Sequence, residues 1–444
     1  MSKDIDDRRY AMSDPFEQAK QLFLQGVHDF EAGRLQEAER AFETSLELLP
    51  ERASTLINLG ATKLRLSKPL EALGVLDRAL AREPDDLDAW CHRGEALARL
   101  GRYEEAVASC DKAIGIDAGF HPAWRGRAMV LTRLRRYEDA LIALDRLAAL
   151  LPAHGETWQH RGQTLQKLGR HDEALASYDK ALSLDRGLAE AWTLRGGILK
   201  DQRRLDEAVE CYREALAHGG EAELNGYFLA SLVGRDAPAT APPRYVQSLF
   251  DDYADTFDEH LVSVLRYEAH RFLVDNLRGV GPERFGAALD LGCGTGLCGP
   301  LVKPAVQRLD GVDLSPLMLG KARALGVYAQ LVQGDLVEHL RGTLQTYDLV
   351  LSADVFIYVG DLEPVFVGVS RVMKRGGVFC FSAEQAGEGQ TFQLNTHQRY
   401  VHSERYVRQL AERHGFETVK LLHHAIREDQ REPIPGLYFY LCKA

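Results

Sequence analysis

The chain has few of the features that staple or anchor a protein. Its seven cysteines (Cys91, Cys110, Cys211, Cys293, Cys298, Cys380 and Cys442) are odd in number and scattered. No CxxC faces a second CxxC or a histidine pair, so neither a zinc site nor a disulfide framework is expected, and no metal is assigned. The thiols read as reduced and partly buried. There is no run of about 18 apolar residues to span a bilayer. The first residues, MSKDIDDRRYAMSD, are polar and acidic where a signal peptide carries an apolar core, so a cytoplasmic protein without a membrane partner is expected. A basic excess is also missing. The net charge is -11 over 444 residues, with neither half basic, which argues against a nucleic-acid partner. The length implies two or three domains.

What the chain does have, first, is a period. In a 34-residue frame started at Ala19, position 8 is Gly26, Gly60, Gly94, Ala128, Gly162 and Gly196. Position 20 is Ala38, Ala72, Ala106, Ala140, Ala174 and Ala208; position 24 is Phe42, Leu76, Cys110, Leu144, Tyr178 and Tyr212. Position 4 is tryptophan in four consecutive repeats (Trp90, Trp124, Trp158, Trp192), and Pro50, Pro84 and Pro152 stand at position 32. Small residues at 8 and 20 let two helices approach, large ones at 4 and 24 fill the gaps, and proline ends a helix before the next begins. Residues 19–222 resemble six tetratricopeptide repeats in unbroken register. Such repeats stack to bury a face that none can bury alone, and they form a concave groove. The resemblance implies an unidentified protein or peptide as groove partner. Groove positions carry Glu156, Gln159, Gln163 and Gln166 in the fifth repeat and Asp88, Cys91, Glu95 and Ala98 in the third. This is not the Lys/Asn carboxylate clamp of some members. An arginine recurs at position 7 (Arg93, Arg127, Arg161, Arg195). It reads either as ion pairs between repeats or as a stripe for an anionic ligand.

Residues 1–18 form an N-terminal segment. After the repeats, ELNGYFLASLV reads as a capping helix and GRDAPATAPP, with three prolines, as a linker, together residues 223–243. A second domain is expected over 244–444. There, from Phe285, short β-rich runs alternate with helical stretches: AALDL, RLDGVDL, VYAQLVQGD, YDLVLSAD and GGVFCFSAE. That alternation predicts βαβ units and a mostly parallel, Rossmann-like α/β sheet whose ligands sit at the carboxyl ends of the strands.

The first of these strands runs into ALDLGCGTGLCGP. A dinucleotide loop wants GxGxxG, but Leu297 stands at the third glycine, and such a loop has no particular need of Asp290. The run Asp290-x-Gly292-Cys293-Gly294-x-Gly296 resembles motif I of the class I S-adenosylmethionine-dependent methyltransferases. It is predicted to open the helix LCGPLVKPAV. The resemblance implies S-adenosylmethionine as cofactor, with Asp290 and the glycine loop at its methionine end. It further implies Asp313 on the ribose hydroxyls, with Leu314, Leu317 and Met318 packing on adenine. Asp335, in Gly334–Leu336, would accept from the adenine amino group, and the fourth-strand end from Ser352 would face the acceptor. A reversed C-terminal hairpin completes such a fold.

The segment RYVQSLFDDYADTFDEHLVSVLRYEA, including Tyr253, reads as lid helices over the cofactor. With the domain order, it is similar to bacterial predicted methyltransferases that carry tetratricopeptide repeats. The fourth strand ends in SADVFIY, not the NPPY of base-methylating enzymes. Asp354, Tyr358, Tyr400 and His402 are therefore the candidate catalytic residues at the acceptor mouth, with His397 and Tyr406 beside them. His402 is the preferred general base because imidazole titrates near neutrality. In-line displacement on a sulfonium can also proceed by positioning alone. Two functions are carried forward. One is a methyltransferase for an oxygen or nitrogen acceptor on a small molecule or on a protein- or carrier-bound substrate recruited by the repeats. The other is a non-catalytic repeat adaptor with a vestigial cofactor domain. A nicotinamide oxidoreductase is disfavoured by Leu297.

Overall fold

The computed structural model describes residues 14–254, 266–387, 391–429 and 432–444, and it divides into two compact units after Gln202. The first is all-helical. Its helices come in pairs: Pro15–Glu31 with Leu35–Leu48, Ala53–Arg65 with Pro69–Arg82, Leu87–Arg99 with Tyr103–Ile116, His121–Arg133 with Tyr137–Leu150, and Gly155–Lys167 with His171–Leu184. Ala189–Asp201 opens the sixth pair.

Local chemistry explains the period. A Cβ on Gly26, Gly60 or Gly162 would lie 2.6 Å from the side chain of Phe42, Leu76 or Tyr178 respectively. In these three repeats position 8 has no side chain because position 24 of the same repeat fills its space. The position-20 alanines are wholly buried. Each position-4 indole N–H donates to a carbonyl six residues upstream, from Trp90 to Pro84, Trp124 to Ala118, Trp158 to Pro152 and Trp192 to Arg186. The tryptophan thus pins the turn between repeats. The arginines of position 7 are ion-paired between repeats: Arg93 with Asp77, Arg127 with Asp111, Arg161 with Asp145 and Arg195 with Asp179, all at 2.7–2.8 Å. This settles the alternative left open above, since their charges are spent on the neighbouring repeat.

The second unit holds a seven-stranded sheet. Strands β1 (Phe285–Leu291), β2 (Val306–Asp313), β3 (Gln330–Gln333), β4 (Tyr347–Ser352) and β5 (Met373–Glu384) are followed by the short pair β6 (Phe392–Leu394) and β7 (Tyr400–His402), then β8 (Phe416–Asp429) and β9 (Glu432–Lys443). The sheet order is β3-β2-β1-β4-β5-β9-β8, with β1–β5 parallel and β9 and β8 antiparallel at one edge. The order reverses between β1 and β4, the crevice where ligands bind in such sheets. Apolar clusters cover both faces, one around Leu289, Val350, Phe379 and Phe439 and the other around Ala288, Leu309, Leu349 and Tyr440.

Three local readings change. The helix after the glycine loop is only Gly299–Val302, continued by a 3-10 turn over Lys303–Ala305; Pro304 has no N–H to extend it. The hairpin β6–β7 has no counterpart among the strands read from sequence. The proline-rich stretch is held by backbone hydrogen bonds: Ala241 N–H donates to Tyr358 O, and Gly360 and Asp361 N–H both donate to Ala239 O, each at 2.9 Å. The helix Ala222–Val233 before it and the helix Pro243–Tyr253 after it share one apolar cluster with β6 and β7, built on Tyr227, Ala230, Ala241, Val246, Leu394 and Tyr400. Of the expected lid, residues 255–265 and the Tyr253 side chain lie outside the described residues.

Two stability measurements follow. Gly162→Ala should lower the urea midpoint of the repeat region, because overpacking against the Tyr178 ring costs about 1–3 kcal/mol. At Gly94 the added Cβ would meet Cys110 Sγ at 3.2 Å, Ala106 O at 3.3 Å and Ser109 Cβ at 3.6 Å, looser than at Gly162, so Gly94→Ala should cost less than Gly162→Ala, with the helix propensity of alanine over glycine, about 1 kcal/mol, offsetting the crowding. A fragment of residues 203–444 should melt cooperatively and well above one of residues 244–444, which loses Tyr227 and Ala241 from the shared cluster. Equal melting temperatures for the two fragments would contradict this packing.

Candidate active site

A cavity of about 440 Å³ opens at the carboxyl ends of the strands, at the β1/β4 reversal. Its one end is built by the loop after β1. Gly292 and Cys293 N–H both donate to Val312 O, at 2.8 and 3.0 Å, and Gly294 N–H donates to Asp313 Oδ2 at 2.8 Å. Gly292, Gly294 and Gly296 all have positive φ, +69°, +54° and +91°, a region that side chains disfavour. At Gly294 a Cβ would meet nothing within 4 Å; the loop leaves a bare stretch of backbone facing the cavity.

Three acids stand around that space. Asp290, at the end of β1, is 2 % exposed and accepts from the Tyr328 hydroxyl at 2.7 Å. Burial pushes its pKa up to about 7, with the Asp313 charge adding to the rise and the Tyr328 hydrogen bond opposing it. Asp313, at the end of β2, is raised by burial against backbone N–H bonds from Ser315 and Gly294. Asp335, after β3, caps the helix Leu336–Gly342 by accepting from Val337 and Glu338 N–H at 2.8 and 3.0 Å. Leu314, Gly334, Leu336 and Val337 complete this end. Acids at the ends of three adjacent parallel strands, a bare glycine backbone and apolar walls between them fit an adenosine carrying cationic groups.

The other end is walled by Val246, Leu249, Phe250, Tyr267, Ile357 and Tyr358, with Thr240 and Ala241 from the proline-rich stretch. Its polar centre is an ion cluster. Asp354 takes the left-handed conformation, φ +58°, and both its oxygens accept from Arg427 Nη1, at 2.8 and 2.6 Å. Arg427 Nη2 also donates to Glu384, and Arg399 lies 3.9 Å from the same carboxylate. Arg427 is 2 % exposed at its side chain. It sits in a register shift of the β8–β9 ladder between Ala425 and Glu428, and such bulges re-aim a side chain.

Of the residues named from sequence, Asp290, Gly292, Cys293, Gly294, Asp313, Leu314, Gly334, Asp335, Leu336, Asp354 and Tyr358 line the cavity. Gly296 makes the turn behind it, where a Cβ would meet Leu325 at 2.8 Å. Met318 is wholly buried and Leu317 is exposed; neither lines the cavity. Ser352 is buried, its hydroxyl tying β4 to Leu291 O at 3.0 Å.

The acceptor-side histidine requires correction. His402 is 0 % exposed and off the cavity wall. Its Nε2 donates to Val359 O and Gly360 O at 2.9 and 3.0 Å, and burial lowers its pKa to about 4 despite those bonds. It is a neutral strut and not a general base. Tyr400 is likewise sealed, its hydroxyl donating to Pro238 O at 2.7 Å, and Tyr406 donates to Asp361 Oδ1 at 3.0 Å. His397 is exposed. The residue of that segment that does reach the cavity is Arg399, flanked by those picked. Tyr328, Tyr267, His270 and Arg427 were also missed. No local motif marks them, because each is brought in by long-range packing.

A cationic ligand seated against Asp290 requires the carboxylate, so binding of S-adenosylhomocysteine there is expected to tighten as pH rises from 6 toward 7 and then level, by up to about tenfold per unit. Asp290 also holds its proton more firmly folded than unfolded, so its share of stability is lost as pH climbs from 3.8 to about 7. Asp290→Asn should flatten both slopes in calorimetry and thermal melts. At neutral pH, Gly294→Val should abolish binding while Cys293→Ala costs less than about tenfold; equal losses would contradict the loop geometry.

Comparison with known proteins identifies both regions of the chain. A methyltransferase domain model matches residues 289–381, and tetratricopeptide repeat models match 57–119, 155–188 and 189–217. Human methyltransferase-like protein 27 is 33% identical over 167 residues, 36% of this chain and 67% of that protein. Malonyl-[acyl-carrier protein] O-methyltransferase of Serratia marcescens is 31% identical over 134 residues, 30% of this chain and 51% of that one, so the chain spans about half the length of this second relative. A solved thermophilic TPR protein of Thermus thermophilus is 25% identical, covering 41% of this chain and 98% of that one with a TM-score of 0.35. The chain belongs to the S-adenosylmethionine-dependent methyltransferase family, with a tetratricopeptide-repeat region joined to its methyltransferase domain.

Proposed function

We propose that this chain transfers a methyl group to an oxygen or nitrogen acceptor on a small molecule, or on a protein- or carrier-bound substrate that the repeats bring to the cavity. The observation that supports this most directly is that one cavity joins the acid-lined loop end to an aromatic, largely apolar end. S-adenosylmethionine, when bound, supplies an electrophilic methyl on a sulfonium. The residues proposed to hold it are Asp290 toward its ammonium, Asp313 toward its ribose hydroxyls, and Leu314, Asp335 and Leu336 around its base. Tyr358, Phe250 and Ile357 would exclude water from the reacting end and press the acceptor into line. Positioning and desolvation then lower the barrier, since the leaving group already carries a positive charge. The carrier-bound acceptor named for the Serratia relative is one form such a substrate can take.

The groove partner remains a proposal of the same reading. Repeats that hold a substrate-bearing protein raise its local concentration at the cavity, into the millimolar range for a short connection. Among the described residues, no helix is long and apolar enough to cross a membrane.

The test is transfer of an isotopically labelled methyl group from donor to cell extract, read by mass spectrometry. Asp313→Ala should abolish both donor binding and label transfer. Removal of residues 1–202 should leave S-adenosylhomocysteine affinity unchanged and raise the apparent KM for the natural acceptor at least about tenfold. An unchanged KM would separate the repeats from substrate delivery, and label-free extract with intact donor binding would favour the adaptor.

A further inference from the structure

Arg399 sits at the aromatic end of the cavity with its side chain 27% exposed, and among the described residues its carboxylate partner, Glu384, is 3.9 Å away. That carboxylate already receives Arg427, which also takes both oxygens of Asp354. Two carboxylates thus share the one guanidinium of Arg427, and Arg399 supplies the second positive charge of the cluster through a long contact while lining the cavity. Its backbone is held on both sides by Asn395, and the residue before it by two tyrosines. Asn395 Oδ1 accepts from Arg399 N–H at 3.1 Å, and Asn395 N–H donates to Arg399 O at 2.9 Å. The preceding Gln398 is held at φ +61° by Tyr227, whose hydroxyl donates to Gln398 O at 2.5 Å, and by Tyr245, which donates to Gln398 Oε1 at 3.1 Å. A guanidinium carried on a backbone held in this way, beside apolar and aromatic walls, is a fork for a planar anion.

Among the described residues, the reacting end is also poor in proton acceptors. Asp354 has both oxygens on Arg427. Burial pushes the phenols of Tyr267 and Tyr358 up, so both stay protonated. His402 is off the wall. His270 lies on the wall, stacked against Tyr267 with ring centroids 5.2 Å apart. An acceptor that arrives already ionised has no need of a base.

We propose that the methyl acceptor is a carboxylate attached to an apolar body, read by Arg399 and converted to its methyl ester. This rests on the methyl-transfer reading above and narrows it to one substrate class. One carboxylate oxygen forms a bond to the methyl carbon while the carbon–sulfur bond breaks, with its electron pair passing to sulfur. The sulfonium charge and the carboxylate charge disappear together, and no proton moves. Arg399 orients the acid and is a specificity residue; the apolar wall accepts the chain or ring.

The experiment uses the full chain, labelled S-adenosylmethionine, and octanoate and 3-phenylpropionate as probes, with 1-octanol and octylamine as controls. Methyl esters should form from the acids and not from the controls. With donor saturating, kcat should be flat between pH 6 and 9. Arg399→Gln should raise KM for the acids at least tenfold with a smaller change in kcat, Arg399→Lys should recover part of it, and S-adenosylhomocysteine affinity should stay unchanged in both. Label transfer to the alcohol or amine as readily as to the acids would overturn the proposal, as would an unchanged KM in Arg399→Gln. A kcat that climbs through pH 6–7 would assign proton removal to His270 and would also overturn it. Where no ester forms, calorimetry on the S-adenosylhomocysteine complex decides. Millimolar acids that bind the native chain and not Arg399→Gln support the anion site, and no binding to either rejects it. Failure of S-adenosylhomocysteine itself to bind would reject the methyl-transfer reading instead.

Discussion

Three backbone N–H groups fold the loop after β1 onto the end of β2, two of them on Val312 O and the third on Asp313 Oδ2. The donor end of the cavity depends on this seam. It fixes the separation of Asp290 and Asp313, whose strands run in parallel register with Asp290 opposite Gly311. It also demands missing side chains on both sides: a Cβ on Gly292 would lie 2.5 Å from Val355, and one on Gly311 would lie 2.9 Å from Cys293 Sγ. The glycines are thus a condition of close approach between loop, β2 and the β4 exit, beyond their role in positive-φ turns.

The seam brings buried carboxylates together without cations, and that has an energetic consequence. Asp290 and Asp313 are both raised, chiefly by burial, and among the described residues neither has an arginine or lysine as a hydrogen-bond partner. Desolvated acids of this kind are stabilised when a cationic ligand arrives, so the destabilisation of the ligand-free site becomes binding selectivity. The opposite end of the cavity is organised differently. There Asp354, Glu384, Arg427 and Arg399 balance in charge, and removing one partner would leave an uncompensated buried ion.

Tyrosines tie the same cavity to the helices that precede the sheet. Tyr227 belongs to the helix Ala222–Val233, Tyr245 to the helix Pro243–Tyr253, and Tyr400 to β7; the Tyr227 ring packs against the other two, with centroids 5.7 and 6.2 Å away. Their hydroxyls end on Gln398 and Pro238. Proline content alone suggested a tether at 234–243. The backbone bonds of Ala239 and Ala241 to the Tyr358–Asp361 turn make that stretch a part of the unit that holds the sheet.

What the sequence determined by itself was whatever local spacing encodes. The 34-residue period specifies repeats because one repeat must fit the next, and the glycine at position 8 is read together with the bulk at position 24. The run from Asp290 to Gly296 specifies its loop because strand, acid and glycines are contiguous. Position in three dimensions decided the rest. His402 and Arg399 lie three residues apart, and sequence favoured the histidine on the chemistry of its side chain. Only the packing of β7 against Val359 and Gly360 seals that imidazole away and turns the arginine to the cavity. Arg427 meets Asp354 across 73 residues through a bulge between two long strands. No period or motif announces such a pairing, because burial and register are properties of the assembled sheet and not of the segment that carries the residue.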